Sequence, residues 1–139
     1  MSKFVLNDRQ ALQSPCQEIS DPVEIQKVIT LLEEELKHHL AGIGLAANQI
    51  GQKARISIIR YHGHNLNLIN PKILFFDKKF IQNHESCLSF PDQFVDTVRF
   101  RTILLKNQDK VQRYQYPLSV IIQHEVDHLD GITIFDRKI

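Results

Sequence analysis

His124, Glu125, Val126, Asp127 and His128 form an H-E-x-x-H pattern, two imidazoles four residues apart with a carboxylate next to the first. On a helix that spacing sets both rings on one face, one turn apart. Two neutral imidazoles so placed can share one divalent ion at about 2.1 Å, and Glu125 can reach a water on that ion as a general base. The pattern therefore carries metal ligands and a proton carrier together. Five residues also match by accident in unrelated chains, where the histidines make ordinary hydrogen bonds; a helical setting argues against that reading.

A catalytic ion takes a third protein ligand and keeps one position open. In zinc proteases with this pattern the third ligand follows, as a histidine about six residues on or a glutamate more than about ten on. Here the sixth residue after His128 is Ile134, and Asp136 stands at no known ligand spacing. The third ligand is therefore expected upstream. Cys87, in the run Glu85, Ser86, Cys87, Leu88, Ser89, is the natural candidate because thiolate is a strong ligand for zinc and iron(II), and His84 is its rival. A lone cysteine otherwise reads as a small buried hydrophobe, which is the reading given to Cys16. A third segment, Gly42, Ile43, Gly44, Leu45, Ala46, Ala47, Asn48, Gln49, is dense in small residues that permit close backbone approach. It lacks the Lys and Ser/Thr of a phosphate loop, which argues against nucleotide binding.

These groups need elements to hold them. Asp21 as cap, Pro22 at the first position and Glu24 three after the cap predict a helix over residues 22–41, with Gly42 at its end. Val28, Leu32, Leu36 and Leu40, joined by Ile25 and Ile29, give it an apolar face. His38 and His39 in its last turn are expected to meet the negative end of the helix dipole. A second helix is predicted over residues 117–129, with Pro117 at its start and Gly131 past its end. Between them, β-branched and aromatic runs at residues 55–61, 66–70, 73–76, 94–106 and 111–116 predict strands, with turns at 62–65 and 107–110. His62 and His64 fall on the first turn and are read as exposed. A last short strand is expected at 132–135. The fold class is α+β: antiparallel sheets packed around the H-E-x-x-H helix, in a single domain over residues 1–139.

The chain has 139 residues, 42% hydrophobic and 24% charged, with a formal charge of +1, which excludes disorder as its main state. A balanced charge makes nucleic acid a poor partner. No apolar run approaches the ~18 residues of a membrane span, and residues 1–10 lack the pattern of a secretory signal. A cytoplasmic monomer with no membrane contact is expected.

Taken together, the segments GIGLAANQ, ESCLS and QHEVDHLDG are similar, in order, to the G-Φ-G-Φ-A-A-x-Q, E-G-C-L-S and Q-H-E-x-D-H-L-x-G segments of the peptide deformylases. The resemblance runs from Asp21 to Phe135. It implies that Cys87, His124 and His128 bind one divalent metal ion per chain, Fe(II) favoured and Zn(II) or Ni(II) accepted, with water as fourth ligand. It implies a hydrolase that removes the N-formyl group from the formyl-methionine of nascent polypeptides and releases formate. The metal-held water would attack the formyl carbon, with Glu125 as base and then acid. The Gln49 side chain and the Leu88 backbone N–H would stabilise the oxyanion. By the same resemblance Asp127 is structural, the peptide backbone pairs near Gly44, and Ile43, Val120 and Ile121 wall the methionine pocket together with the His124 ring. Glu85 and Ser86 are expected among the substrate-binding residues, at the pocket entrance.

Two departures stand out. Ser86 replaces a glycine, which costs something only if the position needs a positive φ. The chain also stops short of the long C-terminal helix of bacterial members, as do compact forms carried by bacteriophages, which leaves contact with the ribosome as at most a weak expectation. A metallopeptidase reading rests on the H-E-x-x-H pattern alone, and a non-catalytic binding role on the two departures.

Overall fold

The computed structural model describes residues 12–39 and 42–139. Residues 1–10, examined above for a signal, and Leu40 and Ala41 of the expected first helix lie outside them.

Helix α1, Pro22–Leu36, starts as its cap predicts: the Asp21 carboxylate accepts the Val23 N–H at 3.0 Å and Pro22 takes the first position. Val28, Ile29, Leu32 and Leu36 form its buried face. The helix ends earlier than the expected residue 41, because Lys37 and His38 form a turn. The His39 ring does not serve as a dipole cap; its Nε2 lies 3.0 Å from the buried Glu35 carboxylate, a stronger partner than a row of carbonyls.

Strands β1 (Gly44–Ala46), β2 (Ile56–Tyr61) and β3 (His64–Ile69) make an antiparallel sheet in that order. His62 and Gly63, both at positive φ, form the two-residue turn between β2 and β3, a backbone whose twist matches that of paired strands. Ile56 and Ile58 pack into the cluster that holds Leu32 and Leu36, whereas Ile59 packs with Ile122 and Val126 further along the chain. The alternation of β2 thus places one helix on each face of this sheet.

Strands β4 (Lys72–Cys87), β5 (Phe90–Asn107) and β6 (Lys110–Gln115) make the second antiparallel sheet. β4 and β5 are much longer than the expected strands at 73–76 and 94–106. Register shifts near Ile73, Gln82 and Glu85 and positive φ at Lys78 and His84 break the period of two, and most of β4 is exposed, so its sequence lacks strand texture.

Helix α2, Leu118–Leu129, sits between the sheets, in contact with β1, β2, β5 and β6. It is buried nearly all round, and most of its buried polar side chains find partners, His128 Nδ1 being an exception. Ser119 donates to the Arg101 carbonyl at 2.8 Å, and Gln123 both accepts from and donates to the Phe100 backbone. Gly131 follows with φ 77°, the left-handed turn expected beyond the helix end. The strand expected at 132–135 is instead a 3-10 turn, Ile134–Asp136, because the Asp136 carboxylate accepts the Thr133 N–H at 2.9 Å and closes the chain locally. The α+β architecture with antiparallel sheets around the H-E-x-x-H helix is as the sequence implies.

Candidate active site

Cys87 is the last residue of β4, directly before the two-residue turn Leu88, Ser89 into β5. That turn delivers its sulfur to the face of α2 where His124 and His128 project. Cys87 Sγ lies 3.2 Å from His128 Nε2, which lies 3.2 Å from His124 Nε2. Among the described residues this is the cluster of three side chains able to hold a metal ion, with its donor atoms all within 4.8 Å of one another. His84 is exposed and lies outside it.

Donors around a tetrahedral ion with bonds of about 2.0–2.3 Å stand about 3.3–3.8 Å apart, and the two separations of 3.2 Å come near that range. The donor chemistry agrees at His128, whereas His124 has to give up a proton to serve as a ligand. Burial and the positive charge at His124 push the His128 pKa well below its usual value, keeping the neutral ring that a metal requires. His124 turns its Nδ1 to Glu85 Oε2 at 2.8 Å, which leaves Nε2 for the cluster. Burial alone would lower the His124 pKa, but hydrogen bonds to Cys87 and Glu85 outweigh it and hold the pKa well above the ordinary range.

Glu85 is itself held from behind. Arg99, 2% exposed, donates to both its oxygens, from Nε at 2.9 Å and Nη2 at 2.6 Å, and Thr97 adds a third bond at 2.7 Å. Burial raises the pKa of such a carboxyl, yet the bonds from His124 and Arg99 win and keep Glu85 ionised, its pKa well below the usual carboxylate range. Arg99 also reaches Asp127 Oδ2 at 2.6 Å, and Arg137 grips the same carboxylate at 2.9 and 3.0 Å.

Glu125 is 3% exposed and has one neutral donor, Ser57, whose hydroxyl lies 3.0 Å from Oε1 and 2.9 Å from the Leu45 carbonyl. Burial pushes its pKa up to about 7, against the lowering effect of His124 and Ser57. That places it where a group can both take and return a proton near neutral pH. Gly44 makes room for it: a Cβ there would stand 2.6 Å from Glu125 Oε2 and 3.1 Å from the Ile58 carbonyl.

Gln49 lies in the 3-10 turn Ala47–Ile50, which follows β1. Its Oε1 accepts the Ala46 N–H at 2.9 Å, which aims Nε2 at Ser89 Oγ, 3.0 Å away, and towards Cys87 Sγ at 3.5 Å. A cavity of about 470 Å³ opens over these groups, and Ile43, Gly44, Glu85, Ser86, Leu88 and Ile121 line it. Val120, expected as a pocket wall, is buried and does not line it. Ser86 is absent from the residues at positive φ, so serine replaces glycine there without backbone strain. Sequence reasoning missed Ser57, Thr97, Arg99 and Arg137. An arginine within the apolar run 94–106 was the one available signal, since a charge on a strand's buried face needs a partner.

A proton-carrying carboxylate set beside such a trio of donors is the arrangement of a metal-dependent hydrolase. The chain belongs to the polypeptide deformylase family, whose model matches residues 1–139. It is 42% identical over 103 residues to the peptide deformylase of Dictyoglomus turgidum, covering 70% of this chain and 67% of that one. It is 34% identical over 134 residues to the peptide deformylase of Thermotoga maritima, covering 84% and 82%. The crystal structure of peptide deformylase from Thermotoga maritima superposes with a TM-score of 0.90 at 29% identity, covering 100% of this chain and 98% of that one. The chain is thus an enzyme of this metal-dependent family. Among the described residues no helix is long and apolar enough to cross a membrane.

Proposed function

We propose that this protein removes the N-formyl group from the N-terminal formyl-methionine of nascent polypeptides, as one catalytic domain over residues 1–139. The observation that carries this reading is the buried, nearly unpartnered Glu125 carboxylate beside the Cys87, His124, His128 trio at the floor of an open cavity.

Cys87, His124 and His128 would hold one divalent ion, Fe(II) favoured and Zn(II) or Ni(II) acceptable to the same donors. Such an ion supplies Lewis acidity, which makes a water nucleophilic near neutral pH and polarises the formyl carbonyl. Glu125 takes a proton from the attacking water at a carboxylate oxygen as the new C–O bond forms. It then returns that proton to the amine nitrogen as the C–N bond breaks, so formate leaves and a free amino terminus remains. Gln49 Nε2 and the Leu88 N–H are the donors for the formyl oxygen as it gains charge. Glu85 fixes the His124 ring through Nδ1, so that its other nitrogen stays directed at the cluster. β1 is the edge of its sheet, and the substrate backbone adds there beside Gly44. The methionine side chain enters between Ile43 and Ile121, near Glu85 and Ser86.

The direct test is formate release from formyl-Met-Ala-Ser by protein loaded with iron without oxygen, with Glu125→Ala alongside. Release by the wild type and not by the variant is the expected result. Release by neither, with metal bound, would sink the reading.

A further inference from the structure

The cavity is far larger than one methionine side chain fills, and its outer part has a distinct character. Phe94, on β5, lines it while 62% exposed, and Ile43 lines it while 40% exposed; Pro91 is on the same lining. Val95 pairs with Glu85, so Phe94 stands one residue from the point where the two strands are registered, next to the strand that carries Cys87. Among the described lining residues there is no Lys, Arg or Asp. The charges that are present belong to the inner cluster, where Arg99 and Thr97 already hold Glu85.

A large exposed aromatic ring at the mouth of a catalytic cavity is apolar surface that a bound chain can cover. An extended peptide advances about 3.3 Å per residue, so a chain whose first residue fills the inner cavity brings its second and third residues over this mouth. An apolar side chain there buries area against Phe94, Ile43 and Pro91. An acidic one loses water at a mouth whose lining offers no Lys or Arg to receive it.

We propose that Phe94 is a specificity-determining residue that favours formyl peptides with an apolar side chain at one of the two positions after methionine. The proposal rests on the deformylase reading and names the substrate class within it.

Two peptide series test it, formyl-Met-X-Ser and formyl-Met-Ala-X, with X as Phe, Leu, Gly or Asp. In one series kcat/KM for Phe should exceed that for Asp by about five-fold or more, a factor expected of one aromatic contact, with the difference in KM. Phe94→Ser should reduce that ratio to below about two-fold, and Phe94→Leu should retain most of it. Calorimetric titration of the metal-loaded protein with the corresponding product peptides, such as Met-Phe-Ser against Met-Asp-Ser, should show the same ratios in affinity. Peptides cleaved without preference, or a preference unchanged in Phe94→Ser, would overturn the proposal and leave the deformylase reading intact. Hydrolysis of none of the peptides would overturn both.

Discussion

Glu85 and Glu125 are buried near the same imidazole, one on the strand wall and one on the helix, yet they are held in opposite ways. Glu85 receives bonds from Arg99, Thr97 and His124, which outweigh the cost of burial and keep it charged. Among the described residues Glu125 receives a hydroxyl alone, and burial raises its pKa to about 7. The difference is one of partners, since both residues are under a tenth exposed. A fully satisfied carboxylate can orient a ligand but is too weak a base to move protons at neutral pH. An under-satisfied one can move them, and its place in the protein is fixed by packing, here by Ser57 and the bare Cα of Gly44.

The comparison yields predictions in descending size. Cys87→Ala removes a donor of the cluster and should abolish both metal retention and activity; metal content near one per chain in that variant would return His84 to consideration. Glu125→Gln keeps the donors, so metal content should hold while kcat falls by about 10²–10⁴. Glu85→Gln should show the reverse pattern, a loss of about 10–100-fold in metal affinity measured by competition with a chelator, because His124 loses its anchor. Gly44→Ala drives a methyl into Glu125 Oε2, and a displacement near 1 Å should lower kcat by up to about 10²-fold with metal content unchanged. The pH profile is the gentlest test. Glu125 acts as a base when ionised, so activity should fall about tenfold per unit on the acid side, from a midpoint at or below about 7, where a bound cation moves it. A profile that stays flat down through the ordinary carboxylate range, to about pH 4, would separate Glu125 from the proton transfer.

Much of this was readable from the residues. Asp21 with Pro22, Gly131, the turn at His62 and Gly63, and the four-residue spacing of the histidines act through local geometry, and each appears where local rules put it. What was hidden depended on distant partners. The charged stretch from Asp77 to His84 becomes strand because β5 pairs with it across bulges, and no periodicity announces that. The first helix stops at Leu36, where the sequence offers no glycine, and the His39 ring settles on Glu35. Within the site, the donors and Glu125 were legible as types at a spacing. Arg99 and Ser57 were not, because their roles come from which strand faces lie against α2.

The file of charges running from Arg137 through Asp127, Arg99 and Glu85 to His124 has a consequence for how substitutions combine. Each member is held by its neighbours, so removing one changes what the next contributes, and free energies along the file do not add. A change at Arg137 is therefore felt by an imidazole thirteen residues earlier in sequence, and its cost depends on whether Glu85 is still in place. The five residues are joined end to end by ion pairs, so double-mutant cycles along them should show interaction energies that reach from the segment after the last 3-10 turn to the imidazole.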